Sequence, residues 1–187
     1  MKRLILLAGI VFFMYSCNSN TDKSASTTSD TTKMADTKMA ASTDNIDYAY
    51  TLDHPYNEWQ TGDPHHAANV MKALKAYETN NIPECVSYFG DSVNLRFDGF
   101  QAKMPHDSIA GFLTMGRGQY TNLTVHLDDW ESVISKDKKE EWVTLWYKEI
   151  YTDKKGKVDS ISVVNDAKMK NGKIVVLDES VMHYMKK

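Results

Sequence analysis

The stretch DPHHAANVMKALKAYETNNIPECVSYFGDSVNLRFDG, Asp63 to Gly99, decides the fold. Asp63-Pro64 is a helix start: an acceptor side chain at the N-cap, then proline at the first helical position, where its missing N–H is harmless. Ala67, Val70, Met71, Leu74 and Tyr77 recur at the spacing of one helical face, with Asn69, Lys72, Lys75 and Glu78 mostly opposite. Asn80-Asn81 stops that helix. Pro83 opens a short second one, running to Phe89 and capped from the Asn81 side. Gly90-Asp91 breaks it. Val93, Leu95 and Phe97 then alternate with Asn94, Arg96 and Asp98, as in a half-buried strand, and Asp98-Gly99 turns the chain.

Downstream, Pro105 to Met115 reads as a third helix with Ile109, Phe112 and Leu113 on one side, ended by Gly116-Arg117-Gly118. Leu123 to Ile134 is a strand, bent around Asp128-Asp129, and Ser135 to Glu140 is a charged turn. Glu141 to Tyr151 carries Trp142, Thr144, Trp146, Lys148 and Ile150 on one face and Val143, Leu145, Tyr147, Glu149 and Tyr151 on the other. Large apolar groups on both faces predict a central strand covered on both sides. Lys154 to Lys157 is a hairpin turn, Val158 to Met169 a strand, Asn171-Gly172 a strong hairpin signal, and Ile174 to Tyr184 the last strand. Helices followed by antiparallel strands predict an α+β domain.

Upstream the composition changes. Residues 1–16 have a positive start, Lys2-Arg3, and an apolar core from Leu4 to Met14 that is too short to span a bilayer. Met14-Tyr15-Ser16-Cys17 resembles the lipobox of bacterial lipoproteins, which implies that Cys17 is acylated and becomes the mature N-terminus. An ordinary cleaved leader with a chance cysteine is the alternative. Residues 17–45 are dominated by Ser, Thr, Asp, Lys, Ala and Met and hold no aromatic side chain. Such a segment cannot bury enough apolar surface to offset its conformational entropy, so it reads as a tether. Residues 46–187 then form a single domain of about 140 residues, opening with an aromatic-rich extended lead-in, Ile46 to Gly62.

The formal charge is -3 and no basic stripe interleaves with aromatics, which speaks against a nucleic-acid partner. The chain has two cysteines. With Cys17 lipidated, Cys85 lacks an intramolecular partner and, beside Val86 and Phe89, reads as a buried inert thiol.

The order of elements, with Tyr88-Phe89-Gly90-Asp91-Ser92-Val93 after the short helix, Ser108-Ile109-Ala110-Gly111-Phe112 in the third, and strands joined through Asn171-Gly172-Lys173-Ile174, resembles the NTF2-like superfamily and its SnoaL-like branch over roughly Asp63 to Tyr184. The resemblance implies a cone-like, curved antiparallel sheet wrapped around about three helices, with a pocket inside. It also implies homodimers through the outer face of the sheet, which the Trp142 to Tyr151 strand would suit. The superfamily holds ketosteroid isomerase and polyketide cyclases as well as non-enzymatic binding modules, so fold alone leaves activity open.

Ketosteroid isomerase works with an aspartate base and a tyrosine and a protonated aspartic acid as oxyanion donors. Here Arg96 and Asp98 fall near the base-bearing strand, but Asp98 sits in an Asp-Gly turn, where aspartate is usually a turn former. His126, placed on one face with Asp128 and Trp130, is the sharper acid–base candidate; a polar sheet residue at an edge is the plainer reading. Tyr77, Arg96, Trp130, Trp146 and Asp178 are candidate ligand contacts, with Trp142 and Trp146 also suiting core or interface, and His183 is expected on the face opposite Asp178. His65-His66 lacks a third ligand at a defined spacing, and adjacent side chains diverge, so no metal is expected, nor any cofactor.

Three functions fit: a lipid-anchored module binding a small apolar or amphipathic ligand, a pocket isomerase, cyclase or hydrolase using His126 or an inward aspartate, and a partner-binding protein whose pocket is filled by its own aromatics. The first is the reading the residues favour, since no catalytic constellation is visible. By likeness to lipoproteins, Asn18 rather than aspartate after Cys17 implies the outer membrane of a Gram-negative cell, and the run after Cys17, without an acidic cluster, implies the periplasmic side.

Overall fold

The computed structural model describes residues 49–50 and 58–184. The leader, the tether, Cys17, most of the aromatic lead-in and the terminal lysines lie outside them. The described elements are β1 (Trp59–Thr61), α1 (Pro64–Glu78), α2 (Ile82–Ser87), β2 (Phe89–Phe97), β3 (Phe100–Pro105), α3 (His106–Arg117), β4 (Tyr120–Ser135), β5 (Glu141–Asp153), β6 (Val158–Lys170) and β7 (Lys173–His183). The strands form one curved, unclosed sheet in the order β1-β4-β5-β6-β7-β2-β3. The α+β expectation holds.

Local chemistry sets the helix ends. The Asp63 carboxylate accepts the His65 N–H at 2.8 Å, and Pro64 follows as the first helical residue. The Asn81 side chain caps α2 and in turn donates to Glu84 Oε2 at 2.7 Å. Asn171 and Gly172 both take positive φ, 51° and 73°, which a two-residue turn of the β6–β7 hairpin demands. Between β2 and β3, Gly99 at φ 70° makes the turn predicted at Asp98-Gly99.

The structure departs from the reading of the sequence in four places. Two strands were not foreseen: β1, which extends the sheet beyond β4, and β3, which pairs with β2 where only a link to the third helix was expected. The three exposed residues of β1 are too few to show a period, whereas Phe100, Ala102 and Met104 of β3 do alternate with Gln101 and Lys103, a signal the reading passed over. The second helix ends at Ser87, and Phe89 already belongs to β2. One pairing is parallel: β2 lies beside β7, with Leu95 opposite Leu177, because four intervening strands separate them in the chain and no hairpin constrains their direction. Finally, β5 is central but buried on one face alone. Val143, Leu145 and Tyr147 are at most 1% exposed, whereas Trp142, Trp146 and Ile150 remain half-buried, with the Lys168 ammonium 5.7 Å from the Trp142 ring centre.

The core lies between the sheet's inner face and the helices. Ala67, Val70, Ala73 and Ala76 of α1, with Cys85, Val86 and Ile109, pack against Val93, Leu95, Val143, Leu145, Val163, Ala167 and Ile174. Small residues along α1 let its backbone come close to the sheet.

Candidate active-site and ligand cavity

A cavity of about 350 Å³ opens between the helices and the inner face of the sheet. That is the size of a small-molecule site. The alternation of three strands builds its walls. On β5 every second residue enters it, Leu145, Tyr147, Glu149 and Tyr151; on β7 Leu177, Glu179, Val181 and His183 do the same; β6 contributes Ile161 and Asn165. Helix α1 supplies Val70, Ala73, Leu74 and Tyr77, and α3 supplies Phe112 and Leu113. Tyr120 tilts against Tyr151, ring centres 4.8 Å apart. Phe97, Phe100 and Phe112 stack with centres 5.3 to 6.3 Å apart, next to Asp98. The interior is thus hollow rather than filled by its own aromatics.

Within these mostly apolar walls sits a polar cluster. Asn165 Nδ2 donates to the Tyr147 hydroxyl at 3.2 Å and reaches Glu179 Oε2, its register partner across the β6–β7 ladder, at 3.5 Å. Asn165 Oδ1 is buried and meets no donor among the described residues. Burial pushes the Glu149 carboxyl from its ordinary 4.5 up to about 7, an effect that the positive charge of Arg117 opposes and Glu78 reinforces. Burial likewise lifts Glu179 to about 7, with the charge of Glu149 adding to it. The Tyr77, Tyr120 and Tyr147 hydroxyls are pushed above the usual phenol range, again first by burial, so all three stay protonated donors near neutral pH. Cys85 lines the floor, but burial lifts its thiol to about 12, so it stays protonated and inert.

Arg117 lies behind the cavity-lining Tyr77 and Tyr120, bonded to their backbone. It is 9% exposed, and its guanidinium donates to the carbonyls of Tyr77 and Glu78 at 3.2 to 3.3 Å and of Tyr120 at 3.0 Å. The first two belong to the last turn of α1, whose terminal carbonyls have no partner within the helix.

The structure sorts the residues singled out in the sequence. Tyr77 and Asp98 line the cavity, Asp98 from its turn. Arg96 and Asp178 do not: they pair with each other at 3.0 Å on the outer face, because both alternate with inward leucines, Leu95 and Leu177. The inward carboxylate of the last strand is the next residue, Glu179, and His183 lines the cavity where Asp178 was expected. Trp146 also faces outward, between Leu145 and Tyr147. His126 is exposed and sits opposite the outward Lys148. The pairing of β4 with β5 then slips between Leu127 and Asp129, leaving Asp128 as the extra, exposed residue. That bulge reverses the alternation, so Trp130 falls on the other face from His126, opposite Leu145, and lines a shallow groove with Trp59 and Pro64. No element of a His126–Asp128 acid–base pair reaches the cavity.

His65 and His66 diverge, the first to Asp63 and the second to Glu141, 2.8 and 2.6 Å away. Among the described residues no group of three metal-ligating side chains converges. The residues that sequence reasoning passed over are Glu149, Glu179, Asn165 and Arg117. A signal existed for the first: Glu149 interrupts the otherwise apolar row Val143, Leu145, Tyr147, Tyr151, and a charge inside a core-facing row is either paired or functional.

No family model matches this sequence, and no curated protein is similar to it at a significant level. Solved structures do match its shape. An NTF2-like protein of unknown function from Exiguobacterium sp. 255-15 superposes with a TM-score of 0.50 at 17% identity, over 63% of this chain and 98% of that one. AusH from Aspergillus nidulans gives 0.54 at 12% identity, over 68% and 90% of the two chains. An M. tuberculosis LEH-like epoxide hydrolase gives 0.51 at 14% identity, over 64% and 84%. At such identities the likeness carries the fold alone. The fold of residues 58–184 is NTF2-like, and it encloses a pocket.

Proposed function

We propose that this chain is a lipid-anchored module of the cell envelope, of the SnoaL-like branch, that binds a small amphipathic molecule in its cavity. The observation that carries the ligand reading is the cavity itself: apolar and aromatic walls enclosing a few converging polar groups, Glu149, Glu179, Tyr147 and Asn165. An apolar body is served by the walls and a polar end by the cluster. The test is native mass spectrometry of the chain purified from its own envelope fraction. A reproducible adduct released on denaturation is the expected result; a clean apo mass, with no thermal shift across a panel of lipids and metabolites, would overturn the reading.

The anchor rests on the lipobox-like Met14-Tyr15-Ser16-Cys17 and on the tether of residues 17–45 that would hold the domain off the bilayer. Asn18 favours the outer membrane, and the lack of an acidic cluster after Cys17 favours the periplasmic side. Cys17→Ser is expected to move the protein from the membrane pellet to the soluble fraction; retention of the variant in the pellet would refute lipidation. A homodimer through the Trp142, Trp146 and Ile150 face is part of the same proposal, since that half-buried apolar row has no other described element over it.

A second reading is favoured by Glu149 and Glu179. A carboxyl held near 7 takes up and releases protons at neutral pH, as a general acid or base must. In that reading the pocket is an isomerase, cyclase or hydrolase site in which these glutamates replace the His126 and aspartate candidates. Turnover of a co-purified ligand that Glu149→Gln or Glu179→Gln abolishes would distinguish it from binding alone.

A further inference from the structure

We propose that the cavity is selective for a protonated amine carried on an apolar body, rather than for a neutral or anionic ligand of the same shape. This rests on the cavity being a ligand site and names the chemistry of its occupant. Three observations converge.

The first is the hydrogen-bonding inventory at the polar end. The carboxylates of Glu149 and Glu179 accept when ionised, and Asn165 Oδ1 accepts only. Asn165 is 7% exposed, lines the cavity, and its Oδ1 meets no protein donor although its Nδ2 is engaged by Tyr147 and Glu179. Above about pH 7, where Glu179 is ionised, its carboxylate can only receive the Nδ2 hydrogen, and that sets the orientation of the amide. A buried acceptor without a donor is disfavoured unless the occupant brings one. An ammonium brings up to three, and like other cationic nitrogen groups it donates without needing a donor in return.

The second is the charge balance. Two carboxylates face the cavity, and Asp98 stands at its edge. Among the described residues no lysine or arginine lines it. The nearby Arg117 spends its guanidinium on the backbone carbonyls of Tyr77, Glu78 and Tyr120. His183, at the exposed end of β7, is the one basic side chain among the lining residues. An anionic ligand would be placed against like charges in a poorly hydrated site, whereas a cation restores neutrality there.

The third is the wall. Tyr77, Tyr120, Tyr147 and Tyr151 surround the same space, and the faces of aromatic rings attract a cation while their edges and the neighbouring leucines pack an apolar body. The ring faces disfavour a carboxylate, and the tyrosine hydroxyls that could donate to one share the space with the charges of Glu149 and Glu179.

The experiment is isothermal titration of the full chain at about pH 8 with three ligands of matched body: 2-phenylethylamine, 2-phenylethanol and 3-phenylpropanoate. The amine is expected to bind at least about tenfold more tightly than the alcohol, and the carboxylate more weakly than either. Glu149→Gln/Glu179→Gln, checked for folding by circular dichroism, is expected to erase the preference of amine over alcohol. The single variant Glu179→Gln reports the same trend should the double variant not fold. Asp178→Asn, on the outer face, is expected to change neither. Alcohol or carboxylate binding as tightly as the amine overturns the amine assignment and leaves the ligand site standing. Binding of none of the three also overturns it, while the ligand reading is then decided by the co-purification experiment alone.

Discussion

Raising the pH from about 5 to about 8 is expected to lower the unfolding free energy by about 5 kcal/mol, and Glu149→Gln/Glu179→Gln to remove most of that slope. Each carboxyl has an ordinary value of 4.5 and is lifted to about 7 in the folded protein, first by burial. Below 4.5 both are protonated whether the chain is folded or not, and their contribution is at its most favourable. Between 4.5 and 7 the unfolded chain releases protons that the folded one retains, so stability falls with rising pH. Above 7 both states are ionised and the loss is complete, at about 3 kcal/mol for each group shifted by this much. Against a typical total of about 5–15 kcal/mol the effect is large. Urea unfolding at a series of pH values measures it. Wild type and double variant with parallel pH slopes would show that these two side chains are not held protonated. The physical meaning is that the cavity tolerates its carboxylates at a stability cost, as sites shaped for binding or chemistry do.

The Arg117→Leu substitution is expected to destabilise the domain by about 3–5 kcal/mol. The guanidinium ties the end of α1 to the start of β4 through the carbonyls of Tyr77, Glu78 and Tyr120. Leucine fills similar space but offers no donor, so carbonyls at a buried helix end lose a charged partner at once. Its loss also removes the positive charge that restrains Glu149, so the Glu149 carboxyl should titrate higher still. Arg117→Lys should recover only part of the stability, since one ammonium cannot span carbonyls that a planar fork reaches together. A midpoint shift of less than about 1 kcal/mol in Arg117→Leu would mean that water substitutes for the guanidinium.

Much of the frame was legible because it rests on short-range rules. Asp63-Pro64, the spacing from Ala67 to Tyr77, the Asn171-Gly172 turn and the alternation of Glu141 to Tyr151 each carry their own local physical cause. Where local signals were weak or displaced, the reading failed. The slip at Asp128 separates His126 from Trp130, and one extra residue suffices because a strand's side chains alternate with a period of two. The same period explains why Asp178 and Glu179, adjacent in the chain, stand on opposite faces of the sheet.

The sequence by itself determined the three helices and the strands other than β1 and β3, most caps and turns, and the apolar rows, because these depend on residues within a turn or a pleat of one another. Tertiary structure alone decided which row faces the hollow, that β2 joins β7 in parallel, and that Arg117 closes the end of α1. It also brought Glu149, Asn165 and Glu179 from three strands around one space. Burial and proximity are properties of the packed sheet, and the same glutamates on the outer face would be ordinary solvated carboxylates.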